Sequence, residues 1–239
     1  MDGMTSLYAA ASFFAGIHLL VAGTFLRGFL AGIIGERGFM AAFSLMSLGG
    51  IVWLVIAYNA AFAADVSAPL WDFGPGVRHL GTVVIFIAVL LVYFALTTPS
   101  PTMAGAESLA ARPDSVRGIL RITRHPMLWG ISLWAAFHMA ANGDLPSVVF
   151  FGTFFVVAFF GTFSIDAKRR RRLGKDWEVF AKATSNVPFG AILSRRTSLS
   201  LKEIGIARLA GATATYAIFL FVHHYLFSAS PFPGGYVPF

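Results

Sequence analysis

The sequence predicts an all-α integral membrane bundle of about six transmembrane helices, with one further interfacial helix on the cytoplasmic side. Of the 239 residues, 57% are hydrophobic and only 12% are charged, and the mean hydropathy is +0.73. These values lie outside the range of soluble globular domains. Several windows also approach or exceed the roughly 20 apolar residues that a helix needs to cross a bilayer. We expect one domain over 1–239, because the sequence contains no internal repeat and no connection long enough for a second domain.

The apolar stretches define the predicted spans. They lie at about 5–26, 39–63, 79–97, 126–142, 147–165 and 206–227. The polar segment 33–39 predicts a tight turn between the first two spans. Pro126 suits the first turn of the fourth span, because the missing N–H of proline is not needed at a helix start. The N-terminus lacks the pattern of a cleavable leader, so the first helix is expected to remain in the protein.

The basic residues predict how these spans are oriented. With six spans, 17 of the 18 lysines and arginines fall on the first, third and fifth connections. The positive-inside rule assigns that face to the cytoplasm. Both termini are therefore expected on the non-cytoplasmic side of a bacterial inner membrane. The net charge of +7 reflects this topology, and no nucleic-acid partner is expected.

The fifth connection begins with the basic run from Lys168 to Arg172. Such a run is typical of a solvated face that binds anionic membrane lipids, and a specific phosphate site is the alternative. The residues that follow include Trp177, Val179 and Phe180, which indicate an amphipathic helix lying at the membrane surface.

The histidines are the strongest candidates for chemistry. The chain has no cysteine, so a metal must be held by its six histidines or by carboxylates. The H-E-x-x-H and E-x-x-H spacings of zinc and di-iron sites do not occur in the sequence. His18 and His138 lie on the first and fourth spans, and two facing imidazoles in an apolar bundle suit a haem. Arg121 and Arg124 are available to meet its propionates.

The segment 121–144 concentrates polar side chains in and beside an apolar helix, where they are costly. Its first part predicts a cytoplasmic-side turn that shapes an anionic or cofactor pocket and contains Arg121, Arg124, His125 and Pro126. Its second part is a stripe on one helix face, formed at four-residue spacing by Gly130, Trp134, His138 and Asn142. His125 lies about 220° round an ideal helix from His138, so the two histidines are expected to have different roles.

Several motifs together resemble one family over most of the chain. They are His18 followed by Arg27, the segment 34–37 (IGER), the segment 118–126 (GILRITRHP), Trp134 and His138 with Asn142-Gly143, Asp166, Gly174 with Glu178, and 187–189 (VPF). From His18 to the C-terminus the chain resembles the NnrU family and, within it, the 15-cis-ζ-carotene isomerases of plants and cyanobacteria. RITRHP with the spaced Trp, His and Asn-Gly is fairly specific, whereas each fragment alone is weak.

The resemblance implies an integral membrane haem b protein whose axial ligands match His18 and His138. In the isomerases, reduction of the haem is thought to free one coordination position for the polyene. A central cis double bond of this lipophilic substrate then isomerises without net redox change. The residues expected at the cofactor are Arg27, Arg121, Arg124, His125, Trp134 and Asn142. A late histidine of the family matches His223 or His224.

This sequence departs from the isomerase pattern at two positions. The isomerases have a cysteine three residues before the ligand on the fourth span, able to take part in ligand exchange, and here that position is Ala135. A further family histidine after the second span falls near Asn59. Any switching of coordination must therefore work differently, and the substrate and the electron donor stay open.

Two other functions remain open. A non-enzymatic protein of the NnrU type keeps the haem and serves as a redox or nitric oxide-linked accessory in denitrification. The other is a membrane S-adenosylmethionine-dependent methyltransferase, because some membrane methyltransferases and sterol reductases carry an R-H-P-x-x-x-G turn, here Arg124 to Gly130. Against it, Leu128 replaces the usual aromatic residue two positions after the proline, and the carboxylate-rich patch after the next span is reduced to Asp166.

Overall fold

The computed structural model describes residues 2–74 and 76–232, and all regular secondary structure in these two ranges is helical. This confirms the all-α prediction. The α-helices are α1 (Gly3–Ala15), α2 (Leu26–Ala64), α3 (Gly76–Thr97), α4 (Pro126–Ala141), α5 (Leu145–Leu173), α6 (Lys175–Ala183), α7 (Gly190–Leu193), α8 (Leu201–Ile204) and α9 (Ile206–Phe227). The π-helix Gly16–Val21 continues α1, and the short 3₁₀ helices Glu107–Ala111, Pro113–Ser115 and Gly118–Arg121 precede α4.

Five helices within the described ranges are long and apolar enough to cross a membrane. They are Gly3–Val21, Leu26–Ala64, His79–Thr97, Leu145–Leu173 and Ile206–Phe227, and they match all the predicted spans except the fourth. The predicted fourth span is α4, whose 16 residues fall just short of the roughly 17–25 that a spanning helix uses. The chain is therefore a helical membrane bundle with a short fourth helix.

The predicted turn at 33–39 is narrower than expected. Helical backbone continues on both sides of Gly35, and only this residue interrupts it, with φ 78° and ψ 158°. Glycine adopts a positive φ without the steric cost that a Cβ imposes. The long helix α2 therefore consists of two helices joined at Gly35, and the second of them contains the predicted second span.

The described residues form two compact units. The first comprises the described parts of Met1–Phe73 with Ala135–Ser164, and the second comprises those of Gly74–Trp134 with Ile165–Phe239. The divisions fall inside α4 and α5, so each of these helices contributes residues to both units. The prediction of one domain stays a prediction, because a compact unit is not by itself a domain.

In the first unit, α1 packs antiparallel along the second part of α2. A Cβ added to Gly3 would lie 2.8 Å from backbone atoms of Ala61, and one added to Gly50 would lie 3.2 Å from the ring of Phe14. The contact at Gly3 leaves no room for a side chain, and at Gly50 the ring of Phe14 would have to shift by a few tenths of an ångström. The small residues that the sequence shows on the second span therefore permit close helix packing, as in other membrane bundles.

In the second unit, α3 packs antiparallel against α9. The Tyr216 hydroxyl donates to the carbonyl oxygen of Thr82 at 2.7 Å, and a Cβ on Gly211 would lie 2.2 Å from the hydroxyl of Tyr93. The helix α4 also approaches α3 closely, because a Cβ on Gly130 would lie 2.8 Å from a backbone oxygen of α3. Gly130, the first residue of the predicted stripe, is therefore a packing residue.

The predicted amphipathic helix is present as α6, but its aromatic face does not lie on the membrane surface. Trp177 and Phe180 are 0% and 1% exposed and form a small core with Ala110, whereas Val179 is 70% exposed. Periodicity predicts an apolar face without showing what covers it. Here the cover is the connection between α3 and α4, so the expectation that these aromatic residues contact lipid is corrected.

Candidate functional site

His18 lies in the π-helix Gly16–Val21, a type of helix that is rare and frequent at functional sites. Its Nδ1 is 2.8 Å from the carbonyl oxygen of Phe14, and its Nε2 is 3.0 Å from the hydroxyl of Ser47. A carbonyl can only accept a hydrogen bond, so these partners assign the proton to Nδ1. The lone pair of Nε2 then accepts from Ser47. The imidazole is held in the neutral tautomer in which Nε2 can bind a metal.

Aromatic rings connect His18 with His138 inside the first unit. The imidazole of His18 packs against Phe14, at a centroid distance of 4.2 Å, and against Phe43 at 5.1 Å. From Phe14 the contacts continue through Phe154, Phe150 and Phe151, and the ring of Phe151 stacks on His138 at 4.8 Å. We call these five phenylalanines and two histidines the aromatic cluster. Both predicted axial ligands thus belong to one apolar assembly.

The helix end that carries His138 is fixed by the connection after α2. The Trp71 Nε1 donates to the carbonyl oxygen of Met139 at 3.0 Å, and the Asn142 Nδ2 donates to the carbonyl oxygen of His138 at 2.9 Å. A Cβ on Gly143 would lie 1.9 Å from the carbonyl oxygen of Trp71. These contacts satisfy carbonyls that the helix end leaves without partners. They hold the last turn of α4 in place.

The second unit contains an ionic network centred on Asp166. Its carboxylate accepts from Arg124 Nε at 2.9 Å, from Arg124 Nη2, and from His125 Nε2 at 2.7 Å. The guanidinium of Arg124 lies over the ring of Trp177, 5.8 Å from its centroid. Burial lowers the pKa of His125 below its ordinary value, although the hydrogen bond to Asp166 opposes this shift. His125 is 2% exposed, so it supports the turn rather than facing solvent.

The R-H-P turn is also joined to the segment 184–189. Arg124 N donates to the carbonyl oxygen of Ser185 at 2.9 Å, and the Thr123 hydroxyl donates to that of Asn186 at 2.6 Å. Phe189 N donates to the carbonyl oxygen of Ile122 at 2.8 Å. Two motifs that are far apart in the sequence, RITRHP and VPF, therefore meet in the structure.

Arg121 has a carboxylate partner of its own. Its Nε and Nη2 donate to Glu203 at 2.7 and 2.8 Å, and the backbone N–H of Gly118 donates to the same carboxylate at 2.7 Å. The ion pair with Arg121 lowers the pKa of Glu203 to about 2. Arg121 and Arg124, predicted to meet haem propionates, thus both bind carboxylates of the protein.

The other predicted residues are distributed between the two units. In the first unit, Arg27 pairs with Glu36 at 2.5 Å and lies over the ring of Phe39. In the second, Trp134 is partly buried on α4. The Nδ1 of His223 is 2.8 Å from the carbonyl oxygen of Ala229, whereas the Nδ1 of His224 is buried with no hydrogen-bond partner among the described residues.

The structure thus places His18, His138, Arg27 and Asn142 in the first unit and Arg121, Arg124, His125 and Trp134 in the second. Three partners were not predicted as site residues: Ser47, Asp166 and Glu203. Asp166 had a signal in the sequence, because a carboxylate at the end of an apolar span requires a partner. Glu203 is the last acidic residue of the chain and carried no such signal.

The imidazole of His18 is of a kind that a haem uses as a ligand. Within the described ranges, no group of three or more histidines, aspartates and glutamates could hold a metal ion. A haem requires fewer protein ligands, because the porphyrin supplies the rest, and neutral imidazole is one of its usual axial ligands. His18 presents this donor with its second nitrogen bonded to a backbone carbonyl, as in many metal-binding histidines.

The fold and these contacts define an all-helical membrane protein with two histidines in one aromatic cluster and a separate ionic network at its R-H-P turn. The chain belongs to the NnrU family, since the family model described as "NnrU protein" matches residues 6–231.

Two relatives carry the same name. The chain is 31% identical over 193 residues to the chloroplastic 15-cis-zeta-carotene isomerase of Arabidopsis thaliana. The aligned residues cover 78% of this chain and 50% of that protein. It is 35% identical over 82 residues to the chloroplastic 15-cis-zeta-carotene isomerase of Zea mays, covering 34% of this chain and 22% of that protein. The chain thus spans half or less of the length of these relatives. No solved structure matches it.

Proposed function

We propose that this protein is a haem b-dependent membrane isomerase that converts a cis double bond of a lipophilic polyene to trans, with His18 and His138 as the axial ligands. The observation that carries the proposal is the aromatic cluster, which contains both histidines and presents His18 with an unprotonated Nε2. The similarity to the Arabidopsis isomerase supports the reaction class.

The residues of the chain have defined tasks in this reaction. A bound haem would be held by the imidazoles of His18 and His138 and would supply the redox chemistry of its iron. The carbonyl of Phe14 holds the His18 ring by Nδ1, and the Ser47 hydroxyl contacts the Nε2 that would bind the iron. Trp71 and Asn142 fix the helix turn of His138.

The substrate class follows from the same cluster. A polyene is long, flat and apolar, and phenyl rings offer it van der Waals contact without unsatisfied polar groups. Phe14 and Phe43 pack on His18, Phe151 packs on His138, and the rings of Phe150 and Phe154 connect them. Ala135 is 0% exposed and carries no sulfur, so this position would supply no ligand to a bound haem.

The proposed location is a bacterial inner membrane. The basic connections face the cytoplasm under the positive-inside rule, and both termini lie on the opposite side. Fusions of a reporter enzyme after residue 110 and after residue 68 are expected to report cytoplasmic and non-cytoplasmic positions, respectively. The opposite pattern would overturn this topology.

The test of activity is expression in bacterial cells that accumulate 15-cis-ζ-carotene. Chromatography should show the 15-cis isomer converted to its trans product by the intact chain, and no conversion by His18→Ala or His138→Ala. His79→Ala is the matched control, because His79 is exposed at the start of α3, and it should convert the substrate normally. An unchanged isomer profile with the intact, membrane-inserted chain would contradict the isomerase.

The second candidate is a non-enzymatic haem accessory of the NnrU type, linked to denitrification. Ala135 in place of the isomerases' cysteine favours it, because that position then has no side chain for ligand exchange. A protein that binds haem through both histidines but leaves the carotene isomers unchanged would support this candidate. The family match gives the methyltransferase alternative no support.

A further inference from the structure

A basic cleft of about 440 Å³ opens in the second unit beside the R-H-P turn. This volume lies within the range of small-molecule sites. The walls carry four cationic side chains and one carboxylate: Arg124, Arg170, Lys182, Arg196 and Glu178. Their polar lining also includes Ser185. The excess of positive charge predicts an anionic ligand.

Arg124 contributes a fixed hydrogen-bond donor at the floor of the cleft. Its Nε and Nη2 donate to Asp166, which sets the orientation of the guanidinium. Its Nη1 has no hydrogen-bond partner within the described part of the chain. Arg124 is 9% exposed and lines the cleft, and its Nη1 is not among the buried unpaired nitrogens of the described residues, so it is open to a ligand. A guanidinium held in this way needs little reordering to bind an oxyanion.

Ser185 contributes a second donor beside it. The backbone carbonyl of Ser185 accepts from Arg124 N, which holds the two residues together. The Ser185 hydroxyl makes no hydrogen bond to any of the residues that the structure describes. A Cβ on Gly190 would lie 2.5 Å from this oxygen, so the glycine leaves space for the hydroxyl.

The basic residues in and around the cleft differ in whether the protein itself binds their charge. Arg169 pairs with Glu107 at 2.5 Å and donates to the carbonyl oxygen of Met103, so it stabilises the fold. Arg170 and Lys182 are exposed on the cleft and form no ion pair with a described residue. Arg196 fixes the end of α6 by donating to the carbonyl oxygens of Lys182 and Thr184 at 2.7 and 2.8 Å.

We propose that this cleft binds a phosphate-bearing anion. Arg124 and Ser185 bind the phosphate oxygens at the floor, and Arg170 and Lys182 neutralise the charge at the rim. Charge-assisted hydrogen bonds from guanidinium groups to phosphate are strong and directional. Such a group can come from an anionic phospholipid or from a soluble phosphate compound. The site is independent of the haem and of the isomerase reaction.

The test measures binding to the purified full chain in a non-ionic detergent at constant ionic strength. The probes are sodium pyrophosphate and dihexanoyl phosphatidylglycerol, and calorimetry gives their affinities. Arg170→Ala and Lys182→Ala are each expected to weaken binding by about three- to fivefold, the effect of losing one exposed charge next to the anion. Arg171→Ala is the matched control, because it removes the same charge from the next residue, which does not line the cleft. Its expected effect is below about twofold.

The two probes also separate the two sources. If the lipid binds more tightly than pyrophosphate, the site is supported and its ligand is a lipid headgroup. If pyrophosphate binds more tightly, the site is supported and its ligand is a soluble phosphate compound. Equal weakening by Arg170→Ala and Arg171→Ala would show a diffuse basic surface and overturn the proposal. Failure of both probes to bind the intact chain would also overturn it.

Discussion

The two units of this protein surround the partly buried His18 and the buried His125 differently. In the first unit, His18 has neutral partners, the carbonyl of Phe14 and the hydroxyl of Ser47. In the second, Nε2 of His125 donates to the carboxylate of Asp166, which also binds Arg124. A hydroxyl can be exchanged for a metal at little cost, whereas a shared carboxylate cannot leave without exposing buried charge. Asp166 therefore fixes His125 within the R-H-P turn, whereas the aromatic cluster provides the candidate haem ligands.

The largest expected effect is on the ionic network. Asp166→Ala leaves Arg124 buried without its carboxylate and removes the hydrogen-bond acceptor of His125. The free energy of unfolding should fall by about 3–5 kcal/mol, because breaking a buried pair leaves an uncompensated charge. Thermal unfolding in detergent measures this change.

Asp176→Ala serves as the control for that variant. Asp176 is exposed in the first turn of α6, where a carboxylate contributes about 0.3–1 kcal/mol through the helix dipole. Equal destabilisation by the two variants would remove the distinction between a buried network and a solvated charge.

A smaller effect is expected where the connection after α2 meets the end of α4. Gly143→Ala brings a Cβ to within 1.9 Å of the Trp71 carbonyl oxygen, so the backbone must shift. The expected cost is about 1–3 kcal/mol, measured by thermal unfolding. Gly49→Ala on α2 meets open space and should be neutral or stabilising by up to about 1 kcal/mol. A neutral Gly143→Ala would show that this end of the first unit is not held as described.

Ser47→Ala tests the neutral partner of His18. The variant removes the hydroxyl that competes with iron for Nε2, a hydrogen bond worth about 0.5–1.5 kcal/mol. Haem titrated into the apoprotein should therefore bind about two- to tenfold tighter, as followed by absorbance. Ser44→Ala on the same helix is the control and should leave the affinity unchanged. Weaker binding by Ser47→Ala would contradict the assignment of Nε2 to the iron.

The smallest effect concerns the exposed edge of the second unit. Because the pKa of Glu203 is lowered to about 2, its ion pair with Arg121 stabilises the fold above the ordinary glutamate pKa of 4.5. That contribution is lost as the pH falls from 4.5 towards 2. The partly exposed pair is worth at most about 1 kcal/mol, or roughly 2–4 °C in Tm. Glu203→Gln should lower Tm by this amount at pH 7 and by less at pH 3; an equal decrease at both would contradict the ion pair.

The sequence predicts the positions of the long helices well, because an apolar run at membrane depth has to satisfy its backbone hydrogen bonds within a helix. The break at Gly35 also falls inside the predicted turn at 33–39. The end of α4 was likewise predicted to within one residue, at 142 against Ala141 in the structure. The close contact of Trp71 with Gly143 was not predicted, because it joins residues far apart in the chain.

The sequence singles out His18 and His138, whose role as haem ligands stays a prediction, but it does not show their hydrogen-bond partners. The register of α1 against α2 decides that Ser47, rather than Ser44, meets His18, and several serines and glycines on α2 suit close packing equally well. Likewise, the periodicity of α6 is the same whether Trp177 faces lipid or protein. Such pairings depend on tertiary packing, which residue spacing along one helix does not specify.

The absorption spectrum of the purified protein, oxidised and reduced, tests the central claim most directly. The account predicts a red protein with a Soret band that is lost in His18→Ala and in His138→Ala and retained in His79→Ala. A colourless preparation that does not bind added haem, or a band unchanged in both ligand variants, would contradict it.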